Sequence, residues 1–198
     1  MSDRETGDSH EAGTSLGTML SVLCVCTHNR TRSVLMEGLL AHHLWALGLH
    51  VAVSSAGTMA DDGLATSESI KMLGERGIDL RDHRGTLIDD HMVEAADLIV
   101  TAEQEHVVTI ASRWPDAFRR TFTLPELVAC TRLFGGRLGG PIDDWLDLLA
   151  DGRPSGFTYL DDRSIGEIVD PTGQDRRTWL EVFELVDDLT QRLAKALT

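Results

Sequence analysis

Apolar and polar positions along this chain fall into two alternating kinds of pattern. Residues 20–26 (LSVLCVC) form a short, almost continuous apolar run, the pattern of a strand buried on both faces. A polar loop follows over residues 27–32. From Ser33 onward, Leu35, Leu39, Leu40, Leu44 and Leu47 recur at helical spacing, and Gly48 closes that helix. Residues 50–55 predict a second strand running into Ala56, Gly57 and Thr58. Residues 66–76 predict a helix with Gly77 just past its end, and residues 89–96 a short helix. Residues 97–101 (DLIVT) predict a third strand, and residues 103–113 a helix stopped before Trp114 and Pro115. A fourth strand over 120–124 leads into a helix over about 125–134. The last helix spans about 176–197, with Trp179, Val182, Phe183, Val186, Leu189 and Leu193 on one face.

Strands alternating with helices imply a parallel sheet covered on both faces. The expected architecture is an α/β three-layer sandwich around a central four-stranded parallel sheet, with right-handed crossovers. Ligands of such sheets bind beyond the carboxyl ends of the strands, and the polar loop after the first strand lies there.

Two stretches fall outside this rhythm. Residues 1–18 are polar, without periodicity, and are expected to be a disordered extension of a domain spanning 19–198. Residues 135–168 form an acidic insert, read as one short amphipathic helix over 143–150 within a long loop. Eighteen Lys and Arg against 32 Asp and Glu give a net charge of −14. That balance excludes a general nucleic-acid or anionic-membrane binder. The acidity is concentrated: residues 1–18 carry four acids and one base, and residues 139–175 nine acids and two bases. The rest of the chain is close to balance. No apolar run approaches the ~20 residues that span a bilayer, and the N-terminus does not read as a secretory signal. Three cysteines make no disulfide framework, which suits a reducing cytoplasm. This reading sets Cys24 and Cys26 on opposite faces of the first strand, with Cys24 in the core and Cys130 packed on a helix.

The chemistry concentrates in residues 26–33, C-T-H-N-R-T-R-S. A cysteine stands at the exit of a buried strand, and six positions later an arginine precedes a serine that opens a helix. A loop of this length curls its N–H groups inward as an anion-binding nest, from Thr27, His28, Asn29, Arg30 and Thr31 to Arg32 and Ser33. The helix adds its positive end. Arg32 offers a planar fork for two oxygens of a tetrahedral oxyanion. Cys26 lies in a positive field that favours the thiolate, and Ser33 is near enough in chain to donate a hydrogen bond to it. Asn29 adopts left-handed backbone cheaply and can hold the curl. Asp170, fixed by Pro171 and leading into the last helix, is the candidate proton donor.

These residues resemble the signature of the low-molecular-weight protein tyrosine phosphatase family, C-x5-R-S/T near the N-terminus. Ser55-Ala56-Gly57-Thr58, Ala96-Asp97-Leu98-Ile99-Val100 and Asp170-Pro171 resemble further family segments in the same order. The resemblance implies a phosphatase that works through a phosphocysteine, without cofactor, on phosphorylated protein or a small-molecule phosphate ester. It implies Cys26 as nucleophile, Arg32 as phosphate clamp and Asp170 as acid and then base. It further implies a network of Asn29, Ser33, Ser55 and His83 bracing the loop. Several positions depart from the family pattern. His28 stands where glycine is frequent, Arg30 where an aliphatic residue or threonine is usual, and Thr31 where a second cysteine often occurs. The aromatics that grip a phenol ring are replaced around Met59 and by Thr172. His28-Asn29 also resembles the thiol-dependent arsenate reductases. Arsenate reduction with a small-molecule thiol, phosphoarginine hydrolysis and an inactive phosphate-binding module therefore stay open.

Other candidates take plainer readings. No His, Cys and Asp cluster has ligand spacing, so no metal is expected. His106 is expected on the surface of its helix, and Asp143, Asp144 and Asp147 on a solvated face. The four tryptophans are read as packing residues. An arginine at position 30 predicts a preference for esters carrying a second anionic group. Arg30→Ala is expected to raise KM for polyanionic esters several-fold more than for monoanionic ones, and an equal change in both would contradict it.

Overall fold

The computed structural model describes residues 19–154 and 157–198; the extension expected over 1–18 lies outside the described residues. Four strands, β1 (Ser21–Cys26), β2 (Ala52–Gly57), β3 (Leu98–Thr101) and β4 (Thr121–Thr123), form one parallel sheet in the order β2-β1-β3-β4. The helices are α1 (Arg32–Ala46), α2 (Ser67–Glu75), α3 (Asp90–Ala95), α4 (Gln104–Arg113), α5 (Leu124–Phe134), α6 (Ile142–Ala150), α7 (Phe157–Asp161) and α8 (Arg176–Ala196). This is the expected four-stranded α/β fold.

The period-two alternation of β1 explains how the sheet is covered. Val22, Cys24 and Cys26 enter one core with Leu35, Leu39, Leu127, Val186 and Leu193 from α1, α5 and α8. Leu23 and Val25 enter a second core with Ile88, Val93, Ile110 and Ala117. Cys24 and Cys26 therefore share a face, as residues two apart on a strand must; the opposite-face expectation was a miscount of the pleat. Cys24 is buried, and burial pushes its thiol up.

β2 begins two residues later than its apolar run suggests and continues to Gly57. Its end is defined by close approach to the loop after β1: a Cβ at Gly57 would stand 2.6 Å from the Thr27 carbonyl oxygen and 2.9 Å from the Asn29 nitrogen. Only glycine lets the strand pass the loop so closely. Gly57 N–H in turn donates to the Thr86 carbonyl at 2.8 Å.

The acidic stretch is packed into the fold. Trp145, Leu146, Leu149 and Ala150 of α6 join the first core, while Asp143, Asp144 and Asp147 face outward as expected. Helix α7 replaces part of the expected loop; five residues are too few to show a period. The short 3-10 helix over Pro115–Arg120 escaped sequence reading for the same reason. Between α6 and α7, Arg153 is buried against Glu126, at 2.8 Å to Oε1 and 3.1 Å to Oε2. It donates to the carbonyls of Phe118 and Thr121, and its guanidinium lies 4.0 Å from the Phe122 ring centroid. Tyr159 Oη donates to the same carboxylate at 2.6 Å, and its ionisation is pushed up by burial first and by Glu126 second. Among the described residues no helix is long and apolar enough to cross a membrane.

Removing one partner of a buried ion pair leaves the other uncompensated, at a cost of about 3–5 kcal/mol. Arg153→Met is therefore expected to lower unfolding free energy by about 3 kcal/mol in urea titration, with Arg153→Met/Glu126→Gln recovering part of it. A loss under about 1 kcal/mol in the single variant would contradict this account.

Candidate active site

The loop between β1 and α1 is held by side chains that all have fixed hydrogen-bond polarity. Asn29 takes the left-handed conformation, φ 54°, and is fully buried. Its Oδ1 accepts from Thr86 N–H at 2.9 Å, which assigns the NH2 group to the other side. Nδ2 then donates to Ser33 Oγ at 3.0 Å and to Ser55 Oγ at 2.7 Å. Ser55 Oγ–H donates to Glu37 Oε2. Ser33 Oγ, already accepting from Asn29, has its hydrogen free for Cys26 Sγ, 3.0 Å away. His83 Nε2–H donates to the Asn29 carbonyl at 3.0 Å. Asn29, Ser33, Ser55 and His83 thus form one hydrogen-bonded network. It ends on the Glu37 carboxyl, whose pKa burial raises.

Arg32 is almost fully buried in the first turn of α1. One terminal nitrogen is ion-paired with Glu103 Oε1 at 2.6 Å and donates to the Ile168 carbonyl at 3.2 Å. The other donates to Asp170 Oδ2 at 3.1 Å and to Thr27 Oγ1 at 3.4 Å. Its Nε is buried without a partner among the described residues, a donor left for an oxyanion. The N-terminus of α1 adds to this. Its N-cap Thr31 makes no side-chain capping bond and its first turn holds no acidic residue, so the helix end keeps N–H donors and positive potential for an anion.

Asp170 reaches the site because its segment returns to the sheet: Ile168 N–H donates to the Ala102 carbonyl at 2.8 Å, just past β3. Asp170 Oδ1 accepts from Thr172 N–H at 2.9 Å, and Thr172 Oγ1 meets Thr31 Oγ1 at 3.1 Å. At the rim, His28 Nδ1 lies 3.3 Å from the Met59 carbonyl, and Arg30 Nε donates to the Leu64 carbonyl at 2.7 Å. Cys26, Arg32 and Asp170 are therefore brought to one place. Among the described residues no group of three or more His, Cys, Asp or Glu stands ready for a metal ion.

Two residues at this site are not assigned to it from the sequence alone. Glu103 pairs with Arg32. His106, expected on a helix surface, is buried against the loop: Nδ1 accepts from Glu103 N–H at 3.2 Å and Nε2 lies 3.0 Å from Thr27 Oγ1. Glu103 and His106 are the N-cap and third residue of a capping box on α4. That spacing was legible, but histidine is an unusual residue in the second role.

A cysteine sulfur, a buried guanidinium, an uncapped helix end and a carboxyl stand together at one strand terminus, an arrangement suited to phosphoryl transfer. Residues 21–132 match the family model for low molecular weight phosphotyrosine protein phosphatase. The chain belongs to that family and is a phosphatase of its class. It is 34% identical over 110 residues to the protein-arginine-phosphatase of Bacillus subtilis (strain 168), covering 55% of this chain and 73% of that protein. It is 31% identical over 108 residues to the probable low molecular weight protein-tyrosine-phosphatase EpsP of Ralstonia solanacearum, covering 54% and 72%. Among solved structures it resembles a cysteine-to-serine variant of the YwlE arginine phosphatase with phosphorylated active site serine. That likeness has TM-score 0.68 and 25% identity, over 89% of this chain and 94% of that one. The family match ends before Asp170, so the link of Asp170 to the site rests on its geometry.

Burial, and Arg32 after it, lower the pKa of His106 to about 4, against about 6.5 in an unfolded chain. Between those values the unfolded state binds the extra proton, so the stability contributed by neutral His106 is lost as pH falls from about 6.5 to about 4. Thermal unfolding of His106→Gln is expected to show a shallower fall of Tm over that window than wild type. Identical slopes would contradict the assignment.

Proposed function

We propose that this enzyme removes phosphate from phosphorylated proteins in two displacements through a phosphocysteine at Cys26. The observation that carries this reading is Arg32 joining the loop of Cys26 to Asp170. In the first displacement the Cys26 thiolate attacks phosphorus, the bond to the leaving atom breaks, and Asp170 delivers a proton to that atom. Ser33 holds the thiolate, while Arg32 and the loop N–H groups bear the charge on the phosphoryl oxygens. In the second displacement Asp170 takes a proton from a water whose oxygen attacks phosphorus. The sulfur–phosphorus bond breaks, returning thiolate and inorganic phosphate. A reducing compartment, the cytoplasm, keeps the three free thiols competent.

For the substrate, the similar proteins bear the names of both an arginine and a tyrosine phosphatase. The rim favours a phosphate ester: Arg30 is fixed at the mouth, where it would oppose a cationic phosphorylated guanidinium. Met59 and Thr172 provide no aromatic clamp, so the preference is for less aromatic esters. Phosphoarginine is the second reading, favoured by the 34% identity to the arginine phosphatase.

With p-nitrophenyl phosphate, wild type is expected to turn over and Cys26→Ser to lose at least about 10³-fold of activity. Asp170→Asn is expected to slow esters with poor leaving groups most, by about 10²-fold or more. Arsenate turnover with a small thiol and no ester hydrolysis would overturn the proposal. Peptides carrying phosphotyrosine, phosphoserine or phosphoarginine, compared by kcat/KM, separate the two substrate readings.

A further inference from the structure

Thr27 directly follows Cys26, and its hydroxyl is the most constrained polar group at the site that the two displacements leave unused. The oxygen of a threonine has two acceptor positions and one proton. His106 Nε2 at 3.0 Å occupies the first position, and Arg32 at 3.4 Å occupies the second. The polarity of the His106 contact follows from the other side of the ring. Nδ1 accepts from Glu103 N–H, so the single proton of the neutral ring resides on Nε2 and is donated to Thr27. Burial and the neighbouring Arg32 cation keep the ring neutral. Among the charged groups around it, Glu103 Oε2 stands 3.6 Å from Nε2 and Asp170 acts only at longer range. The hydroxyl proton of Thr27 is left with no protein acceptor among the described residues.

The direction available to that proton is set by Arg32. Thr27 Oγ1 and Asp170 Oδ2 both accept from the same terminal nitrogen, at 3.4 and 3.1 Å. The two protons of a guanidinium nitrogen diverge, so Thr27 Oγ1 and Asp170 Oδ2 flank Arg32 on two sides with room between them for a bridging water.

We infer that the Thr27 hydroxyl is a catalytic hydrogen-bond donor for the second displacement, holding the attacking water opposite Asp170, and that His106 is the positioning residue that frees its proton for this. The inference rests on the two-displacement reading. Thr27 donates to the oxygen of the water, Asp170 removes one of its protons, the oxygen bonds to phosphorus and the bond to Cys26 sulfur breaks. The first displacement of a good leaving group such as p-nitrophenolate draws little on a donor at that place, so with such an ester the effect of Thr27 falls on the second step.

Rapid-quench measurement of phosphoenzyme formation and decay with p-nitrophenyl phosphate tests this on the full chain. In Thr27→Val, formation is expected within about twofold of wild type and decay slowed about tenfold, the loss of one hydrogen bond to a reacting group. Thr27→Ser is expected to restore decay, and Thr27→Ala serves the same test if valine crowds the loop. His106→Gln retains a side-chain acceptor for Glu103 N–H but falls short of Thr27. It is expected to slow decay alone, with the double variant no slower than the slower single. Unchanged decay in Thr27→Val, equal slowing of both steps, or additive effects of the two substitutions would overturn the inference. No phosphoenzyme in wild type would overturn the two-displacement reading itself.

Discussion

A guanidinium that water scarcely reaches must find its counter-charges within the protein, and Arg32 finds them on two distant segments. Glu103 comes from the N-terminus of α4, 71 residues along the chain, and Asp170 from the segment before α8, 138 residues along. The Ile168 carbonyl adds a neutral acceptor. This one cation therefore holds together the β1 loop, the edge of α4 and the returning chain. Both carboxylates lie at its terminal nitrogens, while its Nε has no partner among the described residues. The cost of burying the cation is thus offset by carboxylates from two segments, which fix the loop in shape before substrate arrives.

The acidic stretch contributes to the same arrangement. Gln104 N–H donates to Glu167 Oε1 at 2.9 Å, and the Gln104 side chain donates to the carbonyls of Tyr159 and Asp162. Tyr159 is fully buried and bonded to Glu126, which Arg153 also holds. A continuous set of contacts therefore runs from the Arg153 cluster through α7 to the residue next to Glu103. The segment whose composition suggested a loose loop is anchored by buried charge and braces the carboxylate behind Arg32. Asp143, Asp144 and Asp147 of α6 stay on an outward face.

Much of this fold is legible in the amino-acid pattern because each long element carries its own period. The leucines of α1 and the apolar face of α8 declare helices, and β1 declares a doubly buried strand. The nucleophilic loop is legible because its parts are contiguous: Cys26, Asn29, Arg32 and Ser33 lie within eight residues. Asp170 was recoverable through Pro171 and its place before the last helix. Glu103 and His106 were not, because their roles depend on which loop α4 abuts, a tertiary fact with no local period. His106 reads as a helix residue with a polar side chain until Thr27 is found against it. Likewise Arg153 and Tyr159 gain meaning only once β4 and α5 bring Phe122 and Glu126 alongside.

In the proposed mechanism the sulfur of Cys26 carries the phosphoryl group during turnover. The direct measurement is mass spectrometry of peptides from enzyme quenched during steady-state turnover of a phosphate ester. The account predicts one added phosphoryl group on the peptide containing Cys26, absent when substrate is omitted and lost as substrate is exhausted. A phosphoryl group on another residue, or turnover with none on the enzyme, would contradict it.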